Sequence, residues 1–124
     1  MSLKILLLIL VSVSLSALAQ LVLKLGMSEP QVQGAMAGND RFAVFQAVAL
    51  NLKVLAGLTI YGLGAVLWLF VLARTDVSMA YPFVGLGFLL TMAFGALFLG
   101  EPMSLARIGG TILVASGVYL VAQS

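Results

Sequence analysis

Charged residues punctuate this chain instead of alternating with apolar ones. There are ten, and long uncharged runs separate them. Nineteen uncharged residues lie between Lys4 and Lys24, twenty between Lys53 and Arg74, and twenty-four between Asp76 and Glu101. After Arg107 no charge appears before Ser124. A helix rises ~1.5 Å per residue, so about twenty residues cross a hydrocarbon core ~30 Å thick. The pattern predicts an all-α chain, one domain over 1–124, with four transmembrane helices at about 3–24, 53–74, 77–100 and 104–122.

Within the first apolar run a polar pattern does emerge. Ser12, Ser16, Gln20 and Lys24 recur every fourth residue, which on a helix places them along one slowly drifting face. The rest of the stretch is almost entirely Leu, Val, Ile and Ala. In a bilayer polar side chains are costly and turn toward protein or a wet cavity. Two readings stand side by side. In one, Ser12 and Ser16 are small helix-packing residues and Lys24 snorkels to the interface. In the other, Gln20 and Lys24 face a polar head group.

The connections are unequal. Residues 25–40 hold Gly, Pro, Asn and Asp and read as the one real loop. Residues 41–52 place Phe42, Phe45, Val48 and Leu52 on one face, as an interfacial helix or as an extension of the second span. The links Arg74–Asp76 and Gly100–Met103 are so short that helices 2, 3 and 4 are expected to be adjacent antiparallel neighbours. Helix 3 carries Pro82, Gly85, Gly87 and Gly95, which serve close packing or a flexible wall beside a cavity. On helix 4, Gly109, Gly110, Ser116 and Gly117 form a small-residue seam that permits close helix approach. That seam is expected to be a dimer interface, with packing inside the subunit as the alternative. Glu101 and Arg107 are expected to form an ion pair or cap at the turn into helix 4.

Ala17-Leu18-Ala19 after an apolar stretch also has the form of a signal-peptide cleavage site. The apolar run continues past it to Leu23 and three more spans follow, so the segment is predicted to remain a helix. The positive-inside count is divided between Lys4 and Arg74 on one side and Lys24, Arg41, Lys53 and Arg107 on the other, and orientation is not assigned.

Composition narrows the chemistry. The chain is 63% hydrophobic and 8% charged, with a mean hydropathy of +1.22, against about half apolar and a quarter charged for soluble domains. It contains neither cysteine nor histidine, which removes disulfides, zinc sites and imidazole bases together. No cofactor or metal is expected, and a net charge of +2 is too small and scattered for a nucleic-acid partner. Glu29, Asp40, Asp76 and Glu101 are the sole carboxylates. No glycine-rich phosphate loop or nucleophile elbow is present, so a catalytic role has few residues to work with and an enzyme is not expected.

Several motifs carry a family likeness: VLWL at 66–69, V-x-x-AYP at 77–82, GEP at 100–102 with Ser104 and Arg107, and the helix-4 glycines. Together they resemble the four-helix proteins of the drug/metabolite transporter superfamily. Two branches compete. Small multidrug resistance exporters carry a helix-1 glutamate that exchanges protons for drug, and the matching position here is Ser16. They also place a tryptophan three residues after the helix-3 tyrosine, where this chain has Val84. The ALAQLVLK stretch at 17–24, AYP at 80–82 and the long first loop instead resemble the 4-amino-4-deoxy-arabinose–phosphoundecaprenol flippase subunits. At Gly85 and Gly87 the chain departs from those subunits, which tend to be polar there.

The likeness implies a multi-pass protein of the bacterial inner membrane that moves a polyprenyl-phosphate-linked sugar or similar anionic lipid. It implies a homodimer, or a heterodimer with a related small subunit. A lipid phosphate crossing a bilayer needs a cation at the membrane edge and polar steps within. Lys24 is the candidate cation and Ser16, Gln20 and Tyr81 the candidate steps. Trp68 is an interior wall or a lipid-facing ring. The alternative function, a proton-coupled exporter of small cations, needs an acid in the membrane, and Asp76 and Glu101 at helix ends are the nearest to one.

Overall fold

A computed structural model describes residues 2–124. The order is α1 (Leu3–Met27), α2 (Pro30–Ala37), α3 (Arg41–Ala49), α4 (Leu52–Leu72), α5 (Val77–Ala80), a 3₁₀ turn (Tyr81–Val84), α6 (Gly85–Phe98) and α7 (Leu105–Gln123). No strand occurs among the described residues. Four segments are long and apolar enough to cross a membrane: Leu3–Met27, Leu52–Leu72, Val77–Phe98 and Leu105–Gln123. The chain is an all-α, multi-pass membrane protein.

Local chemistry sets the helix starts. Ser2 caps α1 by accepting from the Ile5 amide at 3.3 Å, Asp40 caps α3 through Phe42, and Ser104 caps α7 through Arg107. Asn51 caps α4, its side-chain oxygen accepting from the amides of Lys53 and Val54 at 2.9 and 3.0 Å. The first loop is half helical: Pro30 sits at the first position of α2, where its missing N–H costs nothing. The segment from residue 41 is a separate helix ending at Ala49 and not an extension of the second span, because the chain breaks at Leu50–Asn51 and α4 starts afresh. Phe42 and Phe45 stay exposed on it.

α1 is the centre of the bundle, packed along α4 on one side and against α6 on another. The α1–α4 seam is built from glycine. A Cβ on Gly57 would lie 2.7 Å from the Leu23 side chain, and one on Gly64 would lie 3.2 Å from the carbonyl oxygen of Ser12. Gly57 and Gly64 are a heptad apart, so both face the same neighbour. Across that contact the Ser12 hydroxyl donates to the Gly64 carbonyl at 2.7 Å, in a buried position. Interhelical hydrogen bonds of this kind contribute roughly 0.6 kcal/mol in membranes, at most about 1.7. Ile5, Ile9 and Val13 of α1, Val71 of α4, Ala80, Phe83, and Val118 of α7 make the core.

The expected row of adjacent helices 2, 3 and 4 is half realised. α6 and α7 are neighbours, with Gly85 close against Val114 and Val118. The third span meets α4 mainly through α5, beside the short link, and α6 leans on α1 instead, Gly87 against Val13. The divergence coincides with the Tyr81–Val84 turn, where Pro82 supplies no amide to the helix and the chain tightens to 3₁₀. α7 is the outermost span, and Val118 is its one buried residue.

The glycine seam predicts a contrast within one helix. Gly64→Val drives a side chain into the α1 backbone, whereas Gly62, which has nothing within 4 Å of a built Cβ, tolerates the same change. Overpacking costs about 1–3 kcal/mol, so Gly64→Val should melt measurably lower in detergent than Gly62→Val. Equal melting temperatures would contradict the seam.

Candidate substrate groove

Because α6 leaves α4, an open groove forms over α1 with α4 as one wall and the 3₁₀ turn and α6 as the other. It consists of three joined hollows. The first, about 220 Å³, is lined by Ser16, Tyr61, Trp68, Tyr81 and Val84 among others. The second, about 330 Å³, shares Ser16 and Val84 with it and adds Gln20, Gly87 and Thr91. The third, about 220 Å³, shares Gln20 and Thr91 with the second and ends at Lys24 and Glu101. From Ser16 to Lys24 the floor runs eight residues, roughly 12 Å of helix.

All four sequence-predicted residues, Ser16, Gln20, Lys24 and Tyr81, line this groove. Ser12 divides from the rest of the stripe: it is buried at the α4 seam and its proton is committed to Gly64. Ser16 is half-buried, while Gln20 and Lys24 are exposed. The drift of a four-residue spacing explains the division, since successive residues turn from α4 toward the groove. Trp68 packs against the core and also lines the first hollow, an interior wall and not a lipid-facing ring.

Sequence reasoning missed three groove residues. Tyr61 and Thr91 are isolated polar groups in apolar spans, the same signal that singled out Gln20. Thr91 donates its hydroxyl proton to the Gly87 carbonyl at 2.8 Å, leaving its oxygen as an acceptor. Glu101 is the third. The expected Glu101–Arg107 ion pair is not formed: Arg107 donates to the Pro102 carbonyl at 2.7 Å, and Ser104 supplies the cap. Glu101 instead folds back beneath α6. Gly100 takes φ +65°, a conformation natural to glycine at a helix end. The Glu101 amide then donates to the Gly95 carbonyl at 2.9 Å. The Glu101 carboxylate occupies the space where a Cβ on residue 95 would be.

A larger hollow, about 480 Å³, lies elsewhere, between Lys4, Leu8, Phe70 and Arg74. It shares no lining residue with the groove and holds cations at helix ends without interior polar steps. The groove is the better site because it gathers hydroxyl, amide and charged groups in succession.

The first loop is tied down beside the Lys24 end. Asn51 donates to the Gly26 carbonyl at 3.2 Å and to Glu29 at 2.8 Å, and Glu29 pairs with Lys53 at 3.1 Å. The bond to Lys53 is the main cause that holds the Glu29 carboxyl below the usual carboxylate range. A depressed native pKa adds stability above the unfolded value, and that stability is lost as pH falls through the native one. Wild type should therefore lose thermal stability relative to Glu29→Gln as the medium is acidified below the ordinary carboxylate range. Parallel melting curves for the two proteins across that range would show that the pair contributes nothing.

The chain is similar to two kinds of known protein. It is 35% identical over 130 residues to the probable 4-amino-4-deoxy-L-arabinose-phosphoundecaprenol flippase subunit ArnF of Shewanella sediminis, covering 98% of this chain and 89% of that one. It is 41% identical over 58 residues to the corresponding subunit ArnE of Pseudomonas savastanoi, covering 47% and 51% of the two chains. For subunit ArnE of Pseudomonas syringae the identity is 35% over 78 residues, 63% and 67% of the two chains. The match to ArnE of Pseudomonas aeruginosa spans about half of each protein. No family model and no solved structure matches the chain.

Proposed function

Because this chain belongs to the family of 4-amino-4-deoxy-L-arabinose-phosphoundecaprenol flippase subunits, we propose that it helps translocate a polyprenyl-phosphate-linked sugar, or a similar anionic lipid, across the inner membrane. The observation that carries this reading is the groove. Lys24 stands at one end, near the close of α1, where a cation meets a lipid phosphate at the membrane edge. Gln20, Thr91, Ser16 and Tyr81 follow it inward as hydrogen-bonding steps. The groove opens sideways, so a polyprenyl tail stays in lipid while the head group travels between the helices.

The subunit works as a dimer, with a second copy or with a related small subunit. A lateral groove leaves the head group open to lipid on one side, and a second subunit closes it. Gly109, Gly110 and Gly117 support the seam on α7: nothing lies within 4 Å of a Cβ built on any of them, and Ser116 beside them is exposed. These small residues take no part in packing inside the subunit and remain available to another helix.

The proton-coupled exporter reading has no structural support of its own. Asp76 sits exposed at the start of α5, away from the groove, and Glu101 lies at the groove's end and not inside the span.

The test is binding of a polyprenyl phosphate to the purified full chain and to Lys24→Gln and Gln20→Leu. A hydrogen bond to a charged group is worth ~1.5–3 kcal/mol, so Lys24→Gln should weaken binding by about ten- to a hundredfold. Gln20→Leu should weaken it in the same direction, one turn deeper. Equal affinities for all three folded proteins would reduce Lys24 to an interface anchor and remove the reading.

A further inference from the structure

The hollow that the groove does not use brings together cations from two spans. Lys4, at the start of α1, and Arg74, just past the end of α4, both line it, and its volume is about 480 Å³. Among the described residues no carboxylate lines it, not even Asp76 two positions beyond Arg74, and the one ion pair is Glu29–Lys53. Like charges gathered in one place disfavour each other, so these two call for an anion from outside the chain. Two hydroxyls complete the polar rim. Thr75 lines the hollow, and Ser2 accepts from the Ile5 amide at 3.3 Å, which leaves its own proton to donate.

Deeper in, the hollow turns apolar. About one turn into the membrane from each cation stand Leu8, packed on the core, and Phe70, which is 57% exposed. A bare phosphate would satisfy the rim and leave this floor uncovered, whereas an acyl chain covers it and runs on into the bilayer. We propose that the hollow is a binding site for an anionic phospholipid, with Lys4 and Arg74 on its head-group phosphate and Leu8 and Phe70 against the upper part of a chain. Basic pockets between membrane helices hold acidic lipid head groups in this way. Lys4 and Lys24 stand about 30 Å apart along α1, so the lipid belongs to the leaflet opposite the charged end of the groove. The site does not depend on what the groove carries. A zwitterionic lipid fits it poorly, because its ammonium finds no acid there and meets two cations.

The experiment titrates short-chain phosphatidylglycerol and phosphatidylcholine against the full chain in a neutral detergent, with bound lipid counted by native mass spectrometry. A basic residue beside an anionic head group is worth about a factor of five, so wild type should prefer phosphatidylglycerol about twentyfold. Lys4→Gln and Arg74→Gln should each remove roughly a fivefold share of that preference, and the double variant should bring it close to one. Exchanging the cations, Lys4→Arg with Arg74→Lys, should retain it, as should Arg41→Gln, which removes an exposed cation elsewhere. Millimolar inorganic phosphate should not displace the lipid. A preference that survives in the double variant overturns the inference, as does its loss in Arg41→Gln or on exchange of the cations, or its absence in wild type. Displacement by inorganic phosphate would overturn the assignment to a lipid. A double variant that also loses polyprenyl phosphate would make the hollow part of the groove's route and overturn its separate role.

Discussion

The close approach of α1 and α4 is the constraint on which the rest of the structure depends. Lipid chains are as apolar as leucine, so spans gain little from hydrophobic burial against each other and must gain from tight packing instead. Gly57 and Gly64 let α4 lie directly on Leu23 and on the Ser12 backbone, and the Ser12 hydroxyl bridges to Gly64. With that side of α1 occupied, α6 settles on another, Gly87 against Val13. What remains between the two walls is the strip of α1 that carries Ser16, Gln20 and Lys24. The groove is thus a consequence of where small residues permit contact.

The proposed function rests on what that strip presents. Polar groups in a span are tolerated when they face one another, protein backbone or a ligand. Here one serine is spent on packing, and the remaining stripe joins Tyr61, Tyr81 and Thr91 from two other spans and Glu101 from the link before α7. A route of hydroxyl and amide steps with charge at one end suits a head group that must shed water gradually while its tail never leaves the lipid.

Much of this was legible in the sequence, and the exceptions have physical reasons. Uncharged runs of about twenty residues define the spans because a bilayer demands that length. Gln20 and Lys24 stood out because polarity is rare in such runs. The α1–α4 seam was not found, since Gly57 and Gly64 lie among the most ordinary residues of a membrane helix and reveal their role when a neighbour fills the space. Asn51 was passed over as one polar residue in a mixed segment, although it caps α4, holds the end of α1 and binds Glu29. The direction of Glu101 depended on the backbone turn at Gly100, which spacing along the chain does not convey. Helix α2 hid behind residues usually taken as breakers, with Pro30 acting as an initiator.

The absence of native cysteine makes the central claim directly accessible. Single cysteines placed at Ser16, Gln20 and Thr91 would be reacted with a small membrane-permeant thiol reagent, with and without polyprenyl phosphate. Cysteines at Leu7 and Leu18, on another face of α1 that borders a separate shallow hollow, serve as the reference. The account predicts that the lipid slows labelling at the three groove positions and leaves Leu7 and Leu18 unaffected. Protection at Leu7 and Leu18 equal to that in the groove, or none at the groove positions while the lipid is bound, would contradict it.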